Sequence, residues 1–129
     1  MFTVDTISKA HSRVKSGADF PQYIQDCKNL GVLYYETFVE DGSAIYFGEN
    51  GYMVSLQHKY KAIPIKTTLA VDLFKNCLLL HQNGETDFIQ FCKDCSETGI
   101  AKWKIDLYKM TCAYFDFDGH LVLIEQIPA

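Results

Sequence analysis

The 38 residues from Asp19 to Leu56, DFPQYIQDCKNLGVLYYETFVEDGSAIYFGENGYMVSL, recur in altered form from Asp87 to Ile124, as DFIQFCKDCSETGIAKWKIDLYKMTCAYFDFDGHLVLI. Laid over each other without gaps, the two stretches share ten identities in 38 positions. Asp19, Phe20, Gln22, Asp26, Cys27 and Gly31 meet Asp87, Phe88, Gln90, Asp94, Cys95 and Gly99. Tyr46, Phe47, Gly51 and Val54 meet Tyr114, Phe115, Gly119 and Val122. Between them, Tyr23 lies over Phe91 and Tyr35 over Trp103. Coincidences at Asp, Gly and aromatic positions, the residues that punctuate structure, read as one supersecondary unit used twice.

The unit reads as a helix followed by three strands. Asp19 is an N-cap candidate, because its carboxylate can accept the orphan amides of the next turn, and Pro21 suits a first turn where its missing N–H is not needed. Phe20, Tyr23, Ile24, Cys27 and Leu30 make the buried stripe, and Gly31 stops the helix. From Val32 the period changes to two. Leu33, Tyr35, Thr37 and Val39 alternate with Tyr34, Glu36 and Phe38, Asp41-Gly42 makes a hairpin turn, and strands follow over Ser43–Phe47 and Tyr52–Leu56. The second unit repeats this with helix Phe88–Thr98, the stop at Gly99, and strands around Ala101–Leu107, Thr111–Phe117 and His120–Ile127. One further helix precedes each unit. The first is capped by Thr3 or Asp5, carries Ile7, Ala10 and Val14 on one face and ends at Gly17; the other runs from Thr68 through Asn83, after a connector at His58–Thr67. The expected fold is α+β: a single two-layer domain over residues 1–129, with internally duplicated helix–helix–three-strand units (19–56 and 87–124) forming antiparallel sheet with helices on one face. Alternation alone does not say whether the two units share one sheet.

Composition narrows the classes of function. The chain is 48% hydrophobic and 22% charged, as an ordinary globular domain is. A net charge of −4 argues against nucleic acid as a partner, since binding a phosphate backbone needs a positive surface. No apolar run approaches the ~18–20 residues that cross a bilayer, so no membrane partner is expected. Met1–Ala10 carries Asp5 and no apolar core, unlike an export leader, and the five cysteines are then expected reduced in a cytoplasmic setting.

Four blocks carry a family resemblance: HSRVKSGADFPQYI (His11–Ile24), HQNGETDFIQFCKDC (His81–Cys95), KMTCAYFD (Lys109–Asp116) and the terminal VLIEQIP. In order and without obvious insertions, they resemble the YbcV-like family, bacterial and phage proteins classed as a domain of unknown function. Some members carry the label phage envelope protein, which hints at prophage ancestry. The resemblance implies no activity, cofactor or catalytic residue.

The candidate chemistry is sparse. Cys92-Lys93-Asp94-Cys95 has the C-x-x-C spacing of half a zinc site or of a redox pair. A redox pair belongs at a helix N-terminus, whereas these thiols fall in the middle and last turns and overlie apolar positions of the first unit. They read as core, with a zinc site on Cys92 and Cys95 the lesser alternative; no metal and no cofactor is expected. No G-x-S-x-G elbow, P-loop or dinucleotide fingerprint is present. His81 and Asp87 bracket the densest polar turn, whose residues all have capping explanations. Two functions follow. The first is a non-enzymatic interaction module of bacterial or prophage origin, able to form a homodimer or take a protein partner, with Tyr34, Phe38, Tyr46 and Tyr114 on the sheet face away from the helices. The second is a small enzyme or ligand-binding protein with a small-molecule pocket between the two units, lined by Tyr35, Trp103, His81 and Asp87.

Overall fold

The computed structural model describes residues 1–15 and 17–128. In chain order the elements are helices α1 (Val4–His11) and α2 (Phe20–Leu30), strands β1 (Tyr34–Phe38), β2 (Ala44–Phe47) and β3 (Met53–Leu56), helices α3 (Val71–Gln82) and α4 (Phe88–Thr98), and strands β4 (Ile100–Asp106), β5 (Thr111–Asp116) and β6 (Leu121–Gln126). The class is α+β. All six strands lie in one antiparallel sheet of order β3-β2-β1-β4-β5-β6, so both halves of the chain feed a single sheet and meet along β1 and β4.

The turns follow from local chemistry. Gly31 and Gly99 close α2 and α4 at φ of 95° and 92°, a left-handed conformation that costs a residue with a Cβ roughly 1–2 kcal/mol. Positive φ recurs at Gly42 and Gly51, and again 68 residues later at Met110 and Gly119. The two long helices also share a surface bond. Gln22 donates its amide to Asp26 at 3.0 Å, and Gln90 does the same to Asp94 at 2.9 Å. In the central pairing Glu36 lies opposite Lys104, again 68 positions apart, with Tyr34 against Asp106 and Phe38 against Lys102 on either side.

Three boundaries differ from the sequence reading. Helix α1 is capped by Thr3, but it ends at His11, where Arg13 and Val14 bond back three residues and tighten the last turn. Gly17 is no stop. It is buried against the end of α3, where an added Cβ would sit 2.0 Å from the His81 carbonyl oxygen, so close approach rather than a special φ demands glycine. Asp19 makes no side-chain cap, because the turn before it already runs helically into α2; its carboxylate accepts the Lys15 amide instead. Helix α3 starts at Val71 rather than Thr68, since Ala70 donates to the Thr98 carbonyl and holds the preceding segment extended against Gly99.

The helices pack on one face of the sheet. The core between the layers includes Ile7, Ile24, Cys27, Phe74, Cys95 and Ile105, none of them exposed. Each aliphatic or aromatic side chain buried there contributes about 1.5–3 kcal/mol. The opposite face of the sheet is not covered by a helix. It carries Tyr34 stacked on Phe47 at 4.4 Å, with the Lys104 ammonium over the Tyr34 ring and Lys102 bonded to Glu36 at 3.2 Å.

Candidate functional site: a cavity between the layers

The two layers do not close on each other everywhere. A cavity of about 420 Å³ runs between them, with floor residues from all six strands, among them Leu56, Ala44, Tyr35, Trp103, Tyr114 and Glu125. Its roof comes from the helices through Ile7, His11, Tyr23, Leu78, His81, Phe88 and Phe91. Both halves therefore build it. With strands ~4.8 Å apart, the path from β2 to β6 is roughly 19 Å.

Strand register decides which rings reach the cavity. Tyr35 pairs with Tyr46 across β1 and β2, and Trp103 with Tyr114 across β4 and β5; directly paired residues share a face. Tyr35 and Tyr46 stack at 4.4 Å, 16° from parallel. Trp103 sits 5.4 Å from Phe91 and 6.1 Å from Phe88, both at steep angles. Tyr46 and Tyr114 thus belong to the helix-facing floor and not to the outer face expected for them. They are 3% and 6% exposed, and the Tyr46 hydroxyl is hydrogen-bonded to that of Tyr23. Tyr34 and Phe38 do lie on the outer face, each half-buried. Tyr35, Trp103 and His81 line the cavity, and Asp87 does not. The Asp87 carboxylate is committed to capping α4 through the Gln90 amide at 2.8 Å.

The polar groups in the cavity are held uncharged. Burial, helped by the nearby Lys59 ammonium, lowers the His11 pKa to about 4. The ring stands edge-to-face between Tyr23 at 5.2 Å and Phe88 at 5.1 Å, and no carboxylate among the described residues pairs with it. His81 is likewise lowered by burial. It stacks on Phe91 at 4.3 Å, and its Nδ1 lies 3.1 Å from the Thr86 carbonyl oxygen. A carbonyl only accepts, which assigns the proton to Nδ1 and leaves a lone pair on Nε2. Burial pushes the Tyr23, Tyr35, Tyr46 and Tyr114 hydroxyls up, and the Cys112 thiol to about 12. Tyr35 and Trp103 have no hydrogen bond from their hydroxyl or indole N–H to a described residue. Because no buried nitrogen or oxygen among the described side chains lacks a partner, these two groups open onto the cavity. The chemistry on offer is aromatic surface plus a few neutral donors and acceptors. Charge enters only at the edges, as Lys59 beyond β3 and Glu125 on β6.

The C-x-x-C thiols face the core instead. Cys92 and Cys95 are fully buried, and burial pushes Cys92 to about 12 and Cys95 well above an ordinary thiol. Among the described residues no group of three or more His, Cys, Asp or Glu side chains is arranged to hold a metal ion. No helix among them is long and apolar enough to cross a membrane.

Sequence reasoning did not find His11, Tyr23, Phe88, Phe91 or Lys59 as cavity residues. The available signal was the hairpin arithmetic that sets Tyr46 opposite Tyr35, and with it the ring of aromatics on that floor.

Comparison with known proteins gives a match over residues 8–126 to a family described as a protein of unknown function (DUF1398). An uncharacterised protein of Escherichia coli (strain K12), YcgX, is 20% identical over 127 residues, which is 98% of this chain and 95% of the relative.

Proposed function

Since the chain belongs to the DUF1398 family of proteins of unknown function, we propose on the geometry of the site that it binds a small molecule in the cavity between helices and sheet. The observation that carries this reading is the cavity itself. Folded interiors rarely keep voids larger than a water molecule. A space of about 420 Å³ that is partly open to solvent is far larger than such voids. Such a space is occupied in the working protein, by water or by a ligand. Its size falls in the range of small-molecule sites, and its aromatic walls with a few convergent polar groups match their usual make-up. An interior lining held neutral, with charge only at the edges, favours binding over acid–base or nucleophilic catalysis, which needs a group poised to change charge.

The same reading takes the two halves as copies of one ancestral unit, with the cavity at their shared layer. The 68-residue recurrence of positive φ, of the Gln–Asp surface bond and of the central register supports it. It also takes the protein to be cytoplasmic, in keeping with five unpaired thiols.

A neutral aromatic fluorophore, N-phenyl-1-naphthylamine, tests the proposal. Saturable uptake should shift the single indole N–H resonance, since Trp103 is the only tryptophan of the chain. Ala44→Phe, which fills the floor, should abolish uptake without lowering the melting temperature. An indole signal unmoved at saturation, or uptake intact in the filled variant, would refute it.

A second reading keeps the outer sheet face as an interaction surface, favoured by the stacked, half-exposed Tyr34 and Phe47 with Met53, Leu121 and Ile124 exposed around the same sheet. Its occupant would be a second copy of the chain. Light scattering of the purified protein and of Tyr34→Lys decides it: a dimer lost on substitution supports it, and a monomer at micromolar concentration refutes it.

A further inference from the structure

Resting on that cavity reading, we infer the class of the occupant: an aromatic carboxylate, its ring system among Tyr35, Tyr46 and Trp103 and its carboxylate at the Lys59 ammonium. The two charged groups at the cavity edges are not equivalent. Glu125 accepts the Gln82 side-chain amide at 2.8 Å, so one of its oxygens is already engaged by a donor of the protein. Lys59 lines the cavity with its side chain exposed, and no described carboxylate lies within ion-pair distance of it. Its backbone N–H, bonded to the Asp41 carbonyl at 2.8 Å, fixes the residue beside Gly42 at the β2 side of the cavity. Lys59 is thus the edge group with no side-chain partner among the described residues, and the ligand group complementary to it is an anion.

Between that cation and Glu125 at the far edge, the lining is apolar or neutral. A ligand with charge distributed along its length would have to strip it of water without compensation, whereas one charged only at its end keeps that charge at the mouth. The floor and roof present ring faces and edges to the space between them. A planar ring in such a slot gains offset or edge-to-face contacts beyond what its area alone provides, which favours an aromatic body over an alkyl chain. The Tyr35 hydroxyl and Trp103 N–H supply neutral donors to the ligand body.

Three probes test both halves of the inference: 2-naphthoate, its uncharged isostere 2-naphthamide, and octanoate, each used to displace N-phenyl-1-naphthylamine from the full chain and from Lys59→Met. The expected result is that naphthoate binds about tenfold or more tightly than the amide, the size of one charge-assisted contact. That advantage should vanish in Lys59→Met while amide affinity stays the same. Equal affinity of acid and amide, or an advantage that survives the substitution, overturns the carboxylate assignment and leaves the cavity reading standing. Octanoate as tight as naphthoate overturns the aromatic assignment alone. Failure of the neutral fluorophore itself to bind overturns the cavity reading, and the inference falls with it.

Discussion

Acid should destabilise this protein through His11 before its carboxylates are titrated. The imidazole is packed between two rings and next to Lys59, and its pKa falls from an ordinary 6.5 to about 4. The unfolded chain therefore binds a proton near pH 6.5 that the folded chain refuses until about pH 4. Stability contributed by keeping this ring neutral is complete above pH 6.5 and is lost as the pH falls towards 4. Integrating between the two values gives a loss of about 2 kcal/mol at pH 5, approaching 3 kcal/mol near pH 4. Urea unfolding at pH 7.5 and pH 5 measures it. With an m-value of ~1–2 kcal/mol/M, the His11 share moves the midpoint by roughly 1–2 M. His11→Phe preserves the ring contacts and removes the titration, so its midpoint should move less between the same two pH values by that amount. What remains includes His81, whose shift has the same sign. If wild type and His11→Phe lose stability in parallel between pH 7.5 and 5, the ring is not held neutral by its packing and the reasoning fails.

Two further outcomes test the packing directly. Gly17→Ala should destabilise more than Gly31→Ala, although only Gly31 has a positive φ: the Gly31 substitution meets open space and pays backbone strain of about 1 kcal/mol, whereas the Gly17 Cβ collides with the His81 carbonyl and must displace α3. Melting temperatures of the two variants give the order, and the reverse order would mean that the α3 end yields freely. In the native protein, Ellman's reagent should modify Cys77 first. Cys27, Cys92, Cys95 and Cys112 are buried, three of them with thiols pushed up to about 12 and Cys95 well above an ordinary thiol, and should react only after denaturation; fast titration of two or more would contradict their burial.

Much of the fold was legible in the chain because its punctuation is strong. Gly31 and Gly99 sit where left-handed caps require them, and the switch from a period near four to a period of two after each marks the change from helix to strand. What failed, failed at register. The expected outer-face position of Tyr46 and Tyr114 came from alternation along single strands, but the face of a strand is set by its partner. The loop between Phe38 and Ser43 puts Tyr46 opposite Tyr35, and the equally long link between Asp106 and Thr111 puts Tyr114 opposite Trp103. The site was half legible for a related reason. Periodicity shows that Tyr35, Trp103 and His81 point inward; it does not show whether inward-pointing side chains touch. A cavity is a deficit of contact between layers, and it depends on the distance at which four helices ride over the sheet. Asp87 was misjudged because a cap and a pocket rim attract the same residue, and only the Gln90 amide settles which claim prevails.

The central strand pair also sorts its partners. Glu36 faces Lys104 in the middle of the sheet, with Phe38 against Lys102 and Tyr34 against Asp106 around it. If two copies of β1 paired about the same centre, Glu36 would face Glu36; two copies of β4 would set Lys104 against Lys104. Like charges directly opposed across antiparallel strands are destabilising, while the opposed pair adds roughly 0.2–1 kcal/mol. Each half is thus matched at this seam to the other half rather than to a copy of itself, so β1 with β1 and β4 with β4 are the pairings that the centre of the sheet disfavours.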